Sequence, residues 1–474
     1  MSQHTFFWHD YETFGINPSW DRPAQFAGIR TDDQLQAISD PLVIYCKPAP
    51  DVLPTPDACL VTGITPQIAS VNGVVEAEFI AKIHQQLALP GTCGAGFNSI
   101  RFDDEVTRYT LYRNFFDPYA REYQYDCSRW DIIDLARMTF ALRPDGVEWP
   151  RNDTGVPSFK LENLAAANGI SHDSAHDALS DVSATIEFAK LLRSAQPKLF
   201  DWLFTLRNKH KVAQQIDVRS GKPIVHTTRM YPSSNGCTSL VMPLIYESRN
   251  KSSVLVYDLR YDPEEFLDLD SEALYHRLFT PVKELSESDS RLPVKSLKIN
   301  HCPAIAPINT INDRGLARIN LDLDLCARHR EKILTATTFA ERVEQAYSSR
   351  EFELKDDVDQ ALYSGFFTDH DKKQIQRVHN SNPDEIATAE FMFNDSRLPE
   401  LLFRYRARNW PQSLNSEEAE RWKIHCTARL HDPAIGLESY FERIDKLREM
   451  HLGQKRVEGI LSDLESWADS LLSV

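Results

Sequence analysis

The chain has 474 residues, room for about three domains at roughly 150 residues each. At 42% hydrophobic and 10% aromatic it carries enough apolar material for real cores, which excludes an intrinsically disordered chain. Its 53 basic and 69 acidic residues leave a formal net charge of −16; this argues against binding nucleic acid through a general basic coat but leaves room for a local basic groove.

Apolar stretches fall short of the roughly 18 residues of a membrane span, and the first residues lack the charged-then-apolar pattern of a signal peptide. None of the 8 cysteines forms a CxxC pair, so neither a zinc ribbon nor a disulfide framework is expected. A reducing, cytoplasmic setting is the default expectation.

Residues 1–197 alternate strand-like and helix-like segments. Phe6-Phe7-Trp8, Gln25 to Ile29 and Leu42 to Cys46 read as strands. Residues 77–89 place Phe79, Ile80, Ile83 and Leu87 on one helical face. Cys93 to Phe97 is a short buried strand, a helix is expected to start after Phe102, and another carries Leu179, Val182, Ile186 and Ala189 and ends near Pro197. This is an α/β region with a mixed sheet. Residues 198–350 hold short β segments at Pro223 to His226, Ser239 to Met242, Val254 to Tyr257 and Val294 to Asn300, divided by turn-rich stretches, which is compatible with a small β-barrel. Residues 351–474 read as mostly helical, broken at Pro411 and Pro433. With no repeat and no low-complexity linker, the three regions are expected to pack together as a monomer.

The sharpest chemical signal is the run from Phe6 to Gly15. In a strand, residues i and i+2 share a face, so Asp10 and Glu12 project together on the face of Phe6 and Trp8. Two carboxylates on an apolar face repel each other and are costly to desolvate; a divalent cation with oxygen ligands offsets both costs. The bland alternative is an edge strand with its polar side to water. Asp103, Asp104 and Glu105 open a helix, where acids are common for dipole reasons alone. His176 and Asp181 lie at the head of the amphipathic helix, five residues apart and about 140° around an ideal helix. They converge only if His176 sits at or before the first turn.

Taken together, Asp-x-Glu-Thr, Asn…Phe-Asp and His-x4-Asp resemble the DEDDh 3′→5′ exonucleases of the ribonuclease H-like fold, with Asp10, Glu12, Asp103, His176 and Asp181 in the family's order. The likeness extends over the chain: length, β region and helical tail resemble the bacterial exodeoxyribonuclease I family, as do the runs His9–Gly15, Asp21–Phe26, Arg101–Arg108 and Arg207–Lys211. The resemblance implies an exonuclease domain (1–197), an SH3-like barrel (198–350) and a C-terminal helical domain (351–474). It selects Asp103, directly after Phe102, over Asp104. It also implies two Mg²⁺ ions, with Mn²⁺ able to substitute. The resemblance further implies that Asp10 would bridge both, Glu12 and Asp181 would complete the inner shell, Asp103 would act largely through water, and His176 would be the general base. The implied substrate is single-stranded DNA with a free 3′ end, digested processively to 5′-mononucleotides in repair and recombination. The implied partner is the acidic C-terminal tail of single-stranded DNA-binding protein.

A single strand needs cations for phosphates and flat rings for bases. Glu12, Arg108, Tyr119, Tyr123, Arg137, Phe159, Lys160 and Lys209 are the substrate candidates, and Arg404, Arg406 and Arg408 with Tyr405 and Trp410 extend the track into the tail. Two other readings compete. One is an exoribonuclease or proofreading subunit, which differs in contacts to the 2′-hydroxyl. The other is a catalytically dead binding adaptor, which a loss at one of the five acid and histidine positions would favour; all five are present.

Overall fold

Strand β1 (Thr5–Thr13) is the spine of the first sheet, and its alternation decides what each layer receives. Phe7 and Tyr11 point into a cluster with Phe26, Phe79, Ile80, Val106 and Leu111, while Phe6 and Trp8 stack on each other at 5.4 Å. The computed structural model describes residues 4–172, 177–351, 355–433 and 435–472. These group into two units: Met1–Ser128 with His172–Thr185 and Leu354–Val474, and Arg129–Ser171 with Ile186–Glu353.

In the first unit, β1 pairs antiparallel with β2 (Pro23–Thr31), which pairs antiparallel with β3 (Leu42–Cys46). β3 pairs parallel with the short β4 (Gly73–Val74), and β1 pairs parallel with β5 (Thr92–Gly96). The order β4-β3-β2-β1-β5 is therefore mixed, as the sequence predicts. Helix Glu76–Leu87 buries the expected stripe of Phe79, Ile80, Ile83 and Leu87, and helix Asp103–Arg113 follows Phe102 as anticipated.

The tail belongs to this unit. Leu430, Leu437, Ile444, Leu461 and Leu464 share a core with Phe14, Ala24 and Cys59, and Leu398, Leu401 and Tyr405 share another with Tyr109, Tyr112 and Phe115. The Asn-x-x-Glu starts at Asn382 and Asn415 are reciprocal capping boxes, each satisfying two helix-end N–H groups. Helix Arg397–Asn409 ends before Pro411, and helix Ser416–Leu430 before Pro433.

β6 (Ser128–Asp131) runs into the second unit, whose own sheet contains β7 (Ile224–Thr227), β8 (Thr238–Tyr246), β9 (Ser253–Asp258), β10 (Val294–Lys298) and β11 (Ala304–Pro307). These five are antiparallel in the order β10-β9-β8-β7-β11, with a bulge between Pro243 and Ile245. The four β segments read from sequence are all present. The sequence reading missed β11 and several helices, among them Ser271–Phe279, Leu323–Thr335 and Phe339–Ser348. The last packs Phe339 against Tyr257 at 6.3 Å between ring centres. No helix among the described residues is long and apolar enough to cross a membrane.

Candidate nuclease site

Asp10 and Glu12 emerge from β1 opposite Ala27 and Gln25 of β2. The small Ala27 side chain leaves space beside Asp10. β5 covers the other edge of β1 only as far as Trp8, so the Tyr11 amide beyond it lacks a strand partner there. Asp103 supplies one: its Oδ1 accepts from Tyr11 N at 3.0 Å. Thr107 ties the same turn down, its hydroxyl donating to the Asp103 carbonyl at 2.8 Å and accepting from the Tyr11 hydroxyl at 3.0 Å. Asp103 is thus a first-turn helix acid that also reaches the site strand.

Its neighbour turns away. Asp104 accepts from Arg121 at 2.7 Å, both side chains buried, with His9 at 4.0 Å. His9 lies on the opposite face of β1 from Asp10, and burial holds its imidazole down at about 4. The ambiguity between the two aspartates is settled by this pairing: one faces the acids, the other an arginine. Beyond β1, a methyl on Gly15 would lie 2.2 Å from the Asp21 carboxylate, which accepts from Asn17 N at 2.7 Å. The loop after the acids closes this tightly only around glycine.

Asp181 joins from the first turn of helix Ala178–Ala195. One carboxylate oxygen each from Asp10, Glu12 and Asp181 lies within 4.8 Å of the others. Burial first, then Asp103, Glu12 and Asp181, pushes the Asp10 carboxyl well above its ordinary range. Burial, then Asp181 and Asp103, raises Glu12 to about 8. The strongest electrostatic influences on both are other acids. Such a set of crowded oxygen donors fits a hard divalent cation. Elsewhere in the unit, arginines do this work: Arg408 holds Asp51 and Asp359 well below the carboxylate range.

His176 lies outside the described residues. The sequence reading missed His172, whose Nε2 makes a close hydrogen bond with Asp181 Oδ1. The signal was present in the run Ser171-His-Asp-Ser-Ala-His176, with its two histidines four apart.

The substrate candidates fall in both units. In the first, Arg108 is buried, donating to Glu122 and Glu105 at 2.7 Å each, with its guanidinium 5.3 Å over the Tyr119 ring. Tyr123 is 65% exposed, as a stacking residue must be. Tyr363 and Phe366, which the sequence reading did not select, extend this aromatic surface: Tyr363 bonds Arg108 at 3.0 Å and Phe366 lies 6.2 Å from Tyr119. In the second unit, Arg137 pairs with Asp134 at 2.7 Å and lies over Phe159, which packs against Phe140 and Trp149. Lys160 and Lys209 are exposed, Lys160 within 3.3 Å of Glu162.

The expected phosphate track of Arg404, Arg406 and Arg408 is corrected. Arg404 is bound to Asp357, Asp359 and Glu400, Arg406 to Glu418, and Arg408 to Asp51 and Asp359. Tyr405 is buried and packs on Trp410. Their charge is spent inside the unit.

Comparison with known proteins bears on the whole chain. Residues 7–189 match the family model described as Exonuclease, 207–349 the Exonuclease I SH3-like domain, and 356–471 the Exonuclease I C-terminal domain. Exodeoxyribonuclease I of Escherichia coli K12 is 44% identical over 471 residues, covering 99% of this chain and 98% of its own. The solved, moderately thermophilic exonuclease I from Methylocaldum szegediense superposes with a TM-score of 0.95 at 46% identity, covering 99% of this chain and all of its own. The zinc-bound form of the Escherichia coli exonuclease I complex with single-stranded DNA gives 0.95 at 44% identity, with the same coverage.

Proposed function

The chain belongs to the exonuclease I family, and from that premise we propose how its own residues carry the family's reaction. It is a 3′→5′ exonuclease of single-stranded DNA that depends on divalent cations. The observation that carries the residue assignment is the convergence of Asp10, Glu12 and Asp181. These three would hold two Mg²⁺ ions, with Mn²⁺ able to substitute. When bound, the cations supply positive charge against the phosphodiester and lower the cost of making hydroxide from water.

The chain's own groups do the rest. Asp103 fixes the end of β1 through the Tyr11 amide and so sets where Asp10 and Glu12 stand. His176 takes the proton of the attacking water, a role suited to an imidazole near neutrality. The new P–O bond forms as the bond to the 3′-oxygen breaks; that oxygen leaves with a proton, and a 5′-mononucleotide is released. Tyr119 and Tyr123 offer rings to bases, with Arg108 holding Tyr119 in place. The exposed Lys160 and Lys209 meet phosphates, while Phe159 and Arg137 are buried against each other and open no face to a base or a phosphate.

We also propose processive digestion in DNA repair and recombination, in the cytoplasm, by a monomer that docks the acidic tail of single-stranded DNA-binding protein. All eight cysteines are free thiols, which suits a reducing compartment. The test is digestion of matched single-stranded DNA, duplex DNA and RNA, labelled at either end, with and without EDTA. Mononucleotide release from the 3′ end of single-stranded DNA, abolished by EDTA, is expected. Release from the 5′ end, or equal digestion of RNA, overturns the substrate assignment. Near-normal turnover by His176→Ala alongside an inactive Asp10→Ala overturns the histidine base.

A further inference from the structure

We infer that His172 is a positioning residue for the cation ligand Asp181: its imidazole N–H donates to a carboxylate oxygen of Asp181 and fixes how that carboxylate faces the ion. This rests on the reading of Asp10, Glu12 and Asp181 as ligands. The contact joins His172 Nε2 to Asp181 Oδ1, with the histidine side chain 8% exposed and the aspartate 18%. An imidazole this covered is not a surface group that met a carboxylate by chance.

The chemistry of the site explains why a histidine stands there. A carboxylate that rotates freely loses its ligand geometry, and a hydrogen bond to one oxygen stops the rotation. An arginine would stop it too, but with a fixed positive charge where a cation must enter. That is the arrangement at Asp359, whose oxygens meet Arg404 and Arg408. Histidine supplies a directional donor on a short, rigid ring. Asp181 also has its own amide fixed, donating to the Asp177 carbonyl at 3.0 Å, so the backbone and one oxygen are both held. Outer partners of metal-bound carboxylates commonly matter about 10- to 100-fold in metal affinity.

The test measures cation binding rather than turnover. The full-length chain, without DNA, is titrated with Mn²⁺ and free Mn²⁺ is read by electron paramagnetic resonance. His172→Ala is expected to weaken binding about tenfold or more. His172→Gln, whose amide nitrogen stands near the place of Nε2, is expected to recover most of the loss. If the alanine variant does not fold, His172→Asn, too short to reach Asp181, takes its place with the same expectation. Unchanged binding in the alanine variant overturns the inference. Tighter binding also overturns it, since the histidine would then compete with the ion. Asp181→Asn separates the two layers: if it binds Mn²⁺ like the parent, the ligand assignment has failed rather than the role of His172.

Discussion

The acids of the site are folded against their own preference, and removing one charge measures by how much. Glu12 rises from an ordinary 4.5 to about 8 through burial, then Asp181 and Asp103. The folded chain therefore keeps a proton that the unfolded chain gives up between those values. Unfolding releases that proton, so rising pH favours unfolding. Without cations the Glu12 shift costs nothing below pH 4.5, grows more costly through the window up to about 8, and is constant above it. At pH 7 the shift is worth about 3 kcal/mol against folding. Glu12→Gln keeps the shape and removes the charge, and Asp10, raised in part by Glu12, is relieved as well. In EDTA at pH 7 the variant is expected to be more stable than the parent by up to about 3 kcal/mol in a urea titration. Its stability should also vary less between pH 5 and 8. Saturating Mg²⁺ should reverse the order, because only the parent gains binding energy. A variant less stable than the parent in EDTA at pH 8 would refute the reasoning, since the acids would then be satisfied without a cation.

Asp359→Asn should cost about 3–5 kcal/mol, because it leaves Arg404 and Arg408 buried beside a neutral group. Asp359 and Asp51 are depressed by arginines, so their contribution is complete above the ordinary aspartate range and is lost as pH falls through the folded values; acid unfolding read by circular dichroism should begin there. Asp103→Asn keeps an oxygen for the Tyr11 amide and removes a charge that raises Asp10 and Glu12, so in EDTA it should be no less stable than the parent, while kcat falls because the charge that would act on the cations through water is gone. Asp104→Asn should do the opposite, losing about 3–5 kcal/mol with Arg121 stranded while Mn²⁺ binding persists. Tyr123→Ala should leave the urea midpoint in place and weaken binding of single-stranded DNA by about 1–3 kcal/mol, read by anisotropy.

What was legible in the sequence followed the periodicities. Asp10 and Glu12 could be placed on one face because a strand repeats every two residues, and helix Glu76–Leu87 because its apolar stripe repeats every three to four. Asp103 and Asp104 could not be told apart by such means: both open the same helix, and only the distant Arg121 decides which turns inward. Arg404, Arg406 and Arg408 looked like a charged row, but their partners Asp51, Asp357 and Asp359 come from elsewhere in the chain and carry no local mark. Helix Leu323–Thr335 escaped because only Cys326, His329 and Ile333 are buried along it, too thin a stripe to stand out.

The first unit holds two gatherings of buried acids, and their opposite electrostatics separate structure from chemistry. Around Asp51 and Asp359, arginines from the tail bring the positive charge with them, and the carboxyls are stabilised as anions. Around Asp10 and Glu12, the charged groups that act most strongly are acids, and both carboxyls are pushed above their ordinary range, Glu12 to about 8. A fold that burdens itself in this second way must draw stability from elsewhere. The tail provides it, closing apolar cores with Phe14 and Ala24 beside the site strands and with Tyr109 and Tyr112 on the helix that carries Asp103. The helical tail is thus part of what keeps four repelling carboxylates in place. A chain truncated before residue 354 should lose Mn²⁺ binding with its acids intact, and retained tight binding would show that the nuclease region holds its ligands alone.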